Sequence, residues 1–242
     1  MTERVARLGL VGGLGPESTI DYYRRILEGW ARVDATRSPA IVIDSLDVGR
    51  GLWLVEHDRP GLVAYLADSL ERLAGAGATF AALAANTPHV VFDELTVRSP
   101  VPLVSIVESC ADEAQRRGFR RVLVLGTRFT MGGSFYPTVF ERRGIAVVVP
   151  DDAERRWLHE RYVGELLVGD FRDDTRREVR ALVERLGARE KIDAVVLGGT
   201  ELPLLLGEGD IAGFPALDTT ALHVAAIVER LRAAETAASP RT

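Results

Sequence analysis

Short apolar runs alternate along the chain with longer segments in which apolar residues recur every three or four positions. In residues 16–33, for example, Ile20, Tyr23 and Ile26 follow this helical spacing. The apolar runs predict strands over residues 7–13, 40–46, 79–86, 101–106, 121–127, 145–150 and 193–199. The periodic segments predict helices over residues 16–33, 59–77, 89–98, 107–118, 133–144, 152–170, 175–189 and 221–234.

The predicted strands are rich in Val, Leu and Ile, and their central residues carry no charge. The few charges, such as Arg7, Asp44 and Asp193, fall at or near the strand ends. Strands of this kind, separated by helices, indicate an α/β protein with parallel sheets that are covered on both faces. The tail ETAASPRT, residues 235–242, is expected to be disordered.

The two halves of the chain resemble each other. RLGLVGGLGP near the start is similar to RVLVLGTRFTMGG at 121–133, and FAALAANTPH at 80–89 is similar to AVVLGGTELP at 194–203. In each pair a strand ends in a loop of small and polar residues. Two similar units related by a pseudo-two-fold axis would bring these four loops together, at the strand ends where parallel sheets bind ligands.

Composition narrows the class of protein. A chain of 242 residues with 47% hydrophobic content is long enough for one large or two small domains, and a net charge of −5 argues against a nucleic-acid binder. Because there is no leader-like start and no apolar run of about 18 residues, a soluble cytoplasmic protein is expected. Cys110 is the only cysteine, which leaves no cysteine-rich metal site, and Lys191 is the only lysine, which disfavours a Schiff-base mechanism.

The segment GGLGPEST, residues 12–19, leads from a predicted strand into a predicted helix. Backbone N–H groups at a helix start bind anions, so Gly13 is a candidate binding position. The alternative is a tight turn that only needs small residues. A dinucleotide site is disfavoured, because Gly13 and Gly15 fit G-x-G-x-x-G but Ser18 stands where the third glycine belongs.

Polar residues directly follow one strand in each half. In ANTPH these are Asn86, Thr87 and His89, and in GGTEL they are Thr200 and Glu201. Capping of the next helix explains each loop separately, and His89 could simply be a packed histidine. Capping does not explain why both halves carry matching loops, which favours a functional site.

With these motifs the chain resembles the aspartate/glutamate racemase family, the cofactor-independent amino-acid racemases. The resemblance rests on GLVGGLGPEST, ANTPH, GTRFTM and LGGTELPL, and it covers nearly the whole chain. It implies two pseudo-symmetric α/β domains with parallel sheets and an active-site cleft between them. We expect the first domain to comprise residues 1–103 with 215–242, and the second residues 104–214. The resemblance also implies a small amino-acid or carboxylic-acid substrate, no cofactor and a homodimer.

The resemblance further implies two catalytic cysteines, one before the Asn-Thr of the first motif and one before the Thr-Glu of the second. In this chain those positions hold Ala85 and Gly199, and neither residue can carry a proton. Cys110 lies in a different predicted helix, away from both motifs. We therefore expect that the two-thiol mechanism does not operate here.

The substrate-binding residues of the family have clearer counterparts. By resemblance, Asn86, Thr87 and Thr200 hold the substrate α-carboxylate. Gly13 and Thr127, in the first loops of the two halves, are further expected substrate-binding residues. The resemblance also implies two basic positions that bind a further carboxylate, for which the planar fork of a guanidinium is suited. These are Arg50, at a loop position in DSLDVGRG, and Arg155, after PDDAE; the alternative for both is an exposed charge.

The leading functional hypothesis is an isomerase that uses bases other than thiols. The expected bases are Glu201 and His89, which follow the two vacant positions by two and four residues; Asp47 and Glu17 are further candidates. One alternative is a lyase, decarboxylase or cyclase on a related small acid, and another is an inactive small-acid binding protein. A chain engineered at residue 85 or 199 would show the same pattern. No metal, nucleic-acid or membrane partner is expected.

Overall fold

The computed structural model describes residues 6–207, 209 and 211–238. By compactness these divide into two units. The first comprises the described residues up to Ala84, Val91–Ser105 and those from His223 onward; the second comprises Ala85–Val90 and Ile106–Leu222. The domain ranges expected from the sequence stay a prediction, because compactness alone does not show which part folds independently.

The first unit contains a four-stranded parallel sheet with the strand order β2-β1-β3-β4. Its strands are β1 (Arg7–Gly12), β2 (Ala40–Ser45), β3 (Phe80–Leu83) and β4 (Leu103–Val104). Its helices are α1 (Pro16–Ala31), α2 (Val48–His57), α3 (Arg59–Gly75) and α4 (Phe92–Arg98). A 3₁₀ turn, Thr87–Val91, precedes α4.

The second unit contains another four-stranded parallel sheet, with the order β6-β5-β7-β8. Its strands are β5 (Arg121–Leu125), β6 (Ala146–Val148), β7 (Ala194–Leu197) and β8 (Ala216–Asp218). Its helices are α5 (Ile106–Arg116), α6 (Arg128–Gly132), α7 (Phe135–Glu141), α8 (Asp152–Gly164), α9 (Asp173–Glu190) and α10 (Leu202–Leu206). The last helix, α11 (Thr219–Ala238), begins in this unit and ends in the first.

The two sheets have equivalent strand orders, so the similarity between the halves of the sequence extends to the topology. The central strands β3 and β7 are buried at all four positions, as their apolar sequences require. The predicted fold class, two parallel α/β sheets with flanking helices, is confirmed.

Several local predictions need correction. Arg50, expected in a loop, lies in α2, because the Asp47 side chain accepts the Arg50 N–H at 2.5 Å and caps the helix. The helix expected over 152–170 ends at Gly164. The expected disorder of the tail is wrong over 235–238, where α11 continues, and residues 239–242 lie outside the described residues.

The core of the first unit includes a buried histidine. His223 donates from Nε2 to the carbonyl oxygen of Val104 at 3.0 Å, and its Nδ1 accepts from the Tyr22 hydroxyl at 2.9 Å. Burial lowers the pKa of His223 from 6.5 to about 4, against the opposing effect of the bond to Val104. The folded unit therefore holds this ring neutral.

Because of this histidine, we expect the folded protein to lose stability in acid. As the pH falls from 6.5 to about 4, the unfolded chain binds a proton that the folded chain excludes. The free energy of unfolding should fall by about 3 kcal/mol over this range, measured by urea denaturation. The His223→Gln variant should lose less of its free energy of unfolding over this pH range. His57→Gln, which replaces an exposed histidine, should lose as much as the wild type does. Equal pH dependence with and without His223 would contradict this account.

Candidate functional site

Asn86 lies in the loop that follows β3, and its side chain is fixed inside the second unit. It is 3% exposed. Its Oδ1 accepts from the Tyr136 hydroxyl at 2.6 Å, and its Nδ2 donates to Thr219 Oγ1 at 3.1 Å. Thr219 Oγ1 in turn donates to the carbonyl oxygen of Leu197, at the end of β7, at 2.7 Å. The side-chain amide thus holds the loop at the carboxyl end of the second sheet.

Thr87 and Thr127 meet at the same end of that sheet. Their hydroxyl oxygens are 2.9 Å apart, and Thr127 also accepts from the N–H of Thr130 as the cap of α6. Thr87 begins a 3₁₀ turn, so its own N–H has no partner within that turn. Thr87 is partly exposed, whereas Thr127 is buried. The pair presents hydroxyl and amide groups that suit a carboxylate.

His89 is buried and bonded to the backbone through both ring nitrogens. Its Nδ1 donates to the carbonyl oxygen of Ala85 at 3.1 Å, and its Nε2 accepts from the N–H of Ile106 at 3.3 Å. The ring therefore carries its proton on Nδ1. This geometry supports the packed-histidine alternative and counts against the role of a base.

Gly199 has no room for a side chain. A Cβ added there would lie 2.4 Å from Cε2 and 2.6 Å from the hydroxyl oxygen of Tyr162, whereas real Cβ atoms essentially never come closer than 3.0 Å. Tyr162 comes from α8 and is 3% exposed. The space beside Gly199 is thus occupied by a phenol ring.

Glu201 is a buried carboxylate, 1% exposed, that is held by two hydroxyl groups. Its Oε2 accepts from the Tyr162 hydroxyl in a short hydrogen bond, and from Thr200 Oγ1 at 3.0 Å. The backbone N–H of Glu201 donates to the Tyr162 oxygen at 3.3 Å. Burial, and then the charge of Glu201, raise the pKa of Tyr162 well above its ordinary value, so the phenol keeps its proton and remains the donor.

The glycine loop of the first unit is a tight turn. Gly13 has a φ of +78°, and its N–H donates to Thr19 Oγ1 at 2.8 Å. A Cβ at this position would overlap the backbone of Leu46. These facts support the tight-turn alternative, and the expected substrate contact of Gly13 stays a prediction.

Arg50 is an exposed cation in the first unit. Its guanidinium carbon lies 4.5 Å from the centre of the Tyr65 ring, and the Tyr65 hydroxyl accepts the N–H of Asp47 at 2.8 Å. Among the described residues, Arg50 forms no ion pair within 4.0 Å. The guanidinium is therefore stacked but retains the donors that a carboxylate would need.

The other candidates lie outside these clusters. Arg155 forms an ion pair with Asp152 on α8, and its side chain is partly buried, so it is a paired charge and not a fully exposed one. Glu17 is an exposed residue in the first turn of α1. Cys110 is completely buried in α5, and burial, with smaller effects of Asp218 and Glu113, raises the pKa of its thiol far above the ordinary value. Its reactive thiolate form is therefore disfavoured.

The second unit thus contains most of the residues predicted for the site. These are Ala85, Asn86, Thr87, His89, Thr127, Gly199, Thr200 and Glu201. Sequence reasoning missed Tyr136, Tyr162 and Thr219, whose hydroxyl groups bind the predicted residues. All three are buried helix residues, and the two tyrosines resemble ordinary core, so only their polar partners could have distinguished them.

Among the described residues, no group of three or more His, Cys, Asp or Glu residues is arranged to hold a metal ion. None of the helices in the described part of the chain is both long and apolar enough to cross a membrane. The expected cytoplasmic location stays a prediction.

Comparison with known proteins gives consistent matches over most of the chain. The family model for Asp/Glu/hydantoin racemases matches residues 11–227. The broad-specificity amino-acid racemase RacX of Bacillus subtilis is 25% identical over 224 residues, which cover 88% of this chain and 93% of that protein. Two solved structures are also similar. An aspartate racemase homologue from Pyrococcus horikoshii is 35% identical, with a TM-score of 0.77 and coverage of 93% of this chain and 98% of that one. A provisionally named Asp/Glu racemase from Yersinia pestis is 30% identical, with a TM-score of 0.83 and coverage of 93% and 99%.

Proposed function

Because the chain belongs to the Asp/Glu/hydantoin racemase family, a family of isomerases, we propose that it inverts the configuration at the α-carbon of a small amino or carboxylic acid such as aspartate or glutamate. The proposed reaction exchanges the α-proton without thiols. Neither position at which the resemblance places a catalytic cysteine holds one, and the single cysteine of the chain is enclosed in α5.

The observation that carries this proposal is the environment of Glu201. This carboxylate belongs to the GGTEL motif that follows β7, and the hydroxyl groups of Tyr162 and Thr200 bind one of its oxygens. Position 199, where the resemblance places a thiol, has no side chain. Within that motif, Glu201 is therefore the group closest in sequence to position 199 that can accept a proton.

In the proposed step, the Glu201 carboxylate takes the α-proton. The Cα–H bond breaks, an O–H bond forms on Glu201, and the electron pair moves into the substrate carboxyl group. A proton returned to the opposite face completes the inversion. We assign this return to a water molecule, because both ring nitrogens of His89 are bonded to the backbone. The hydroxide left behind takes the proton from Glu201, which restores the water and the carboxylate.

The substrate carboxylate is proposed to lie against Thr87, Thr127 and the backbone of Thr200, whose hydroxyl already binds Glu201. The amide side chain of Asn86 is already bonded to Tyr136 and Thr219, so its contribution would come from the backbone. Arg50 has unused donors, which supports its proposed contact with a second carboxylate. The same contact for Arg155 has less support, because Asp152 already binds that guanidinium.

The reaction is proposed to proceed without pyridoxal phosphate. That cofactor is held by a lysine Schiff base, and Lys191 is the only lysine in the chain. Lys191 is exposed at the end of α9, outside the clusters described above.

We also propose a homodimer. The first unit exposes several large apolar side chains, and its outer strand β2 has an open edge. The side chains are Ile20, Tyr23, Ile43 and Trp53. Light scattering should give twice the chain mass of 26.4 kDa.

The proposed function can be tested by proton NMR of the protein in D₂O with a pool of small amino acids and diacids. Loss of one Cα–H signal, with appearance of the opposite enantiomer, is expected. New product signals would instead indicate a lyase, decarboxylase or cyclase. Line broadening without any chemical change would indicate a binding protein and contradict the proposal.

A further inference from the structure

We propose that Tyr162 takes the place of the absent side chain at position 199 and is the positioning residue for Glu201. The claim that the Tyr162 ring fills the space beside Gly199 rests on the geometry alone. The effect on the reaction rests on the function proposed above, so the two are tested separately.

The first line of evidence is steric. A Cβ at Gly199 would lie within 2.8 Å of three atoms of the Tyr162 side chain, namely Cε2, Cζ and the hydroxyl oxygen. The ring is buried and packs in a core cluster with Leu158 and Leu202, so it has little freedom to move aside. A thiol at 199 and the phenol at 162 therefore exclude each other. A two-thiol site would require a smaller residue at 162.

The second line of evidence is the hydrogen bonding of the phenol. Its O–H donates to the Glu201 carboxylate, and its oxygen accepts the N–H of the same residue. Two bonds to one residue fix both the backbone and the carboxylate of Glu201. Thr200 binds the same carboxylate oxygen and completes the arrangement. A phenylalanine would fill the same space but could make neither bond.

The steric part is tested by thermal unfolding of a double-mutant cycle. Gly199→Ala should lower the Tm by about 5 °C, because the added methyl group meets the ring. In a Tyr162→Ala background the same change should lower the Tm by less than about 2 °C, and Tyr162→Leu serves if that variant does not fold. The control is Gly164→Ala in α8, where an added Cβ meets nothing within 4 Å. Equal Tm losses from Gly199→Ala in both backgrounds would overturn the steric claim.

The positioning part is tested by the kinetics of Tyr162→Phe, which keeps the ring. We expect kcat for α-proton exchange to fall about 10–100-fold while KM changes less than about twofold, since the base is misplaced but the substrate contacts remain. Tyr22→Phe is the matched control, because it removes a buried tyrosine hydroxyl from the first unit. It should leave both constants unchanged.

The outcomes separate this inference from the proposed function. If the wild type exchanges protons and Tyr162→Phe keeps its kcat, or changes only KM, the positioning role is wrong while the function stands. If the wild type exchanges no proton in any compound, the function and the positioning role both fail, and the double-mutant cycle still decides whether Tyr162 occupies the space at 199.

Discussion

Glu201→Gln is expected to lower the rate of α-proton exchange by about 10²–10⁴-fold, the range that general base catalysis contributes. Glutamine has nearly the same shape, and its amide oxygen can still accept from Tyr162 and Thr200. It cannot take a proton at neutral pH. The loss should therefore appear in kcat, measured by NMR in D₂O, while the Tm stays close to that of the wild type.

The matched control is Glu165→Gln. Glu165 is also a buried glutamate of the second unit, 4% exposed, but Arg161 and Thr175 bind its carboxylate. Removing its charge should weaken folding and leave the exchange rate unchanged. A Glu201→Gln protein with the full wild-type rate would rule out Glu201 as the base.

Gly13→Ala is expected to destabilise the protein by roughly 3–5 kcal/mol. The residue has a φ of +78°, which L side chains rarely adopt, and its Cβ would lie 2.1 Å from the carbonyl oxygen of Leu46. Because Gly13 and Leu46 directly follow the paired residues Gly12 and Ser45 of β1 and β2, neither backbone can move aside easily. Urea denaturation gives the free energy directly, and the Tm should fall by about 10 °C.

Gly118→Ala separates the two causes of this loss. Gly118 has a similar φ of +75°, but an added Cβ there meets nothing within 4 Å. It should therefore show only the conformational cost of about 1–2 kcal/mol. If Gly13→Ala were no worse than Gly118→Ala, the packing of the loop against Leu46 would not be the reason that glycine stands there.

Much of the fold could be predicted because strands that are buried on both faces of a sheet must consist of uninterrupted apolar residues. Apolar runs predicted the central strands β1, β3, β5 and β7. The sequence similarity between the two halves of the chain predicted two equivalent sheets. Helix α2 was not predictable in the same way. Its segment VGRG has poor helical propensity, and the helix depends on the cap from Asp47.

The candidate site could be predicted only in part. Strand-end position identified Asn86, Thr87, Thr200 and Glu201, because polar residues there have few structural reasons to occur in pairs. It could not show which of their atoms are already bonded. Tyr136, Tyr162 and Thr219, which bind Asn86 and Glu201, lie 39 to 133 residues away from them in the chain, so only the folded structure could reveal these contacts.

The central claim is α-proton exchange without a thiol, and the most direct test uses Cys110→Ala in D₂O. This variant removes the only thiol of the chain from a buried core position in α5. Its rate of deuterium incorporation at the substrate α-carbon should equal that of the wild type, with inversion of configuration. Loss of exchange in a variant that retains its fold would show that the thiol takes part, and would contradict the account.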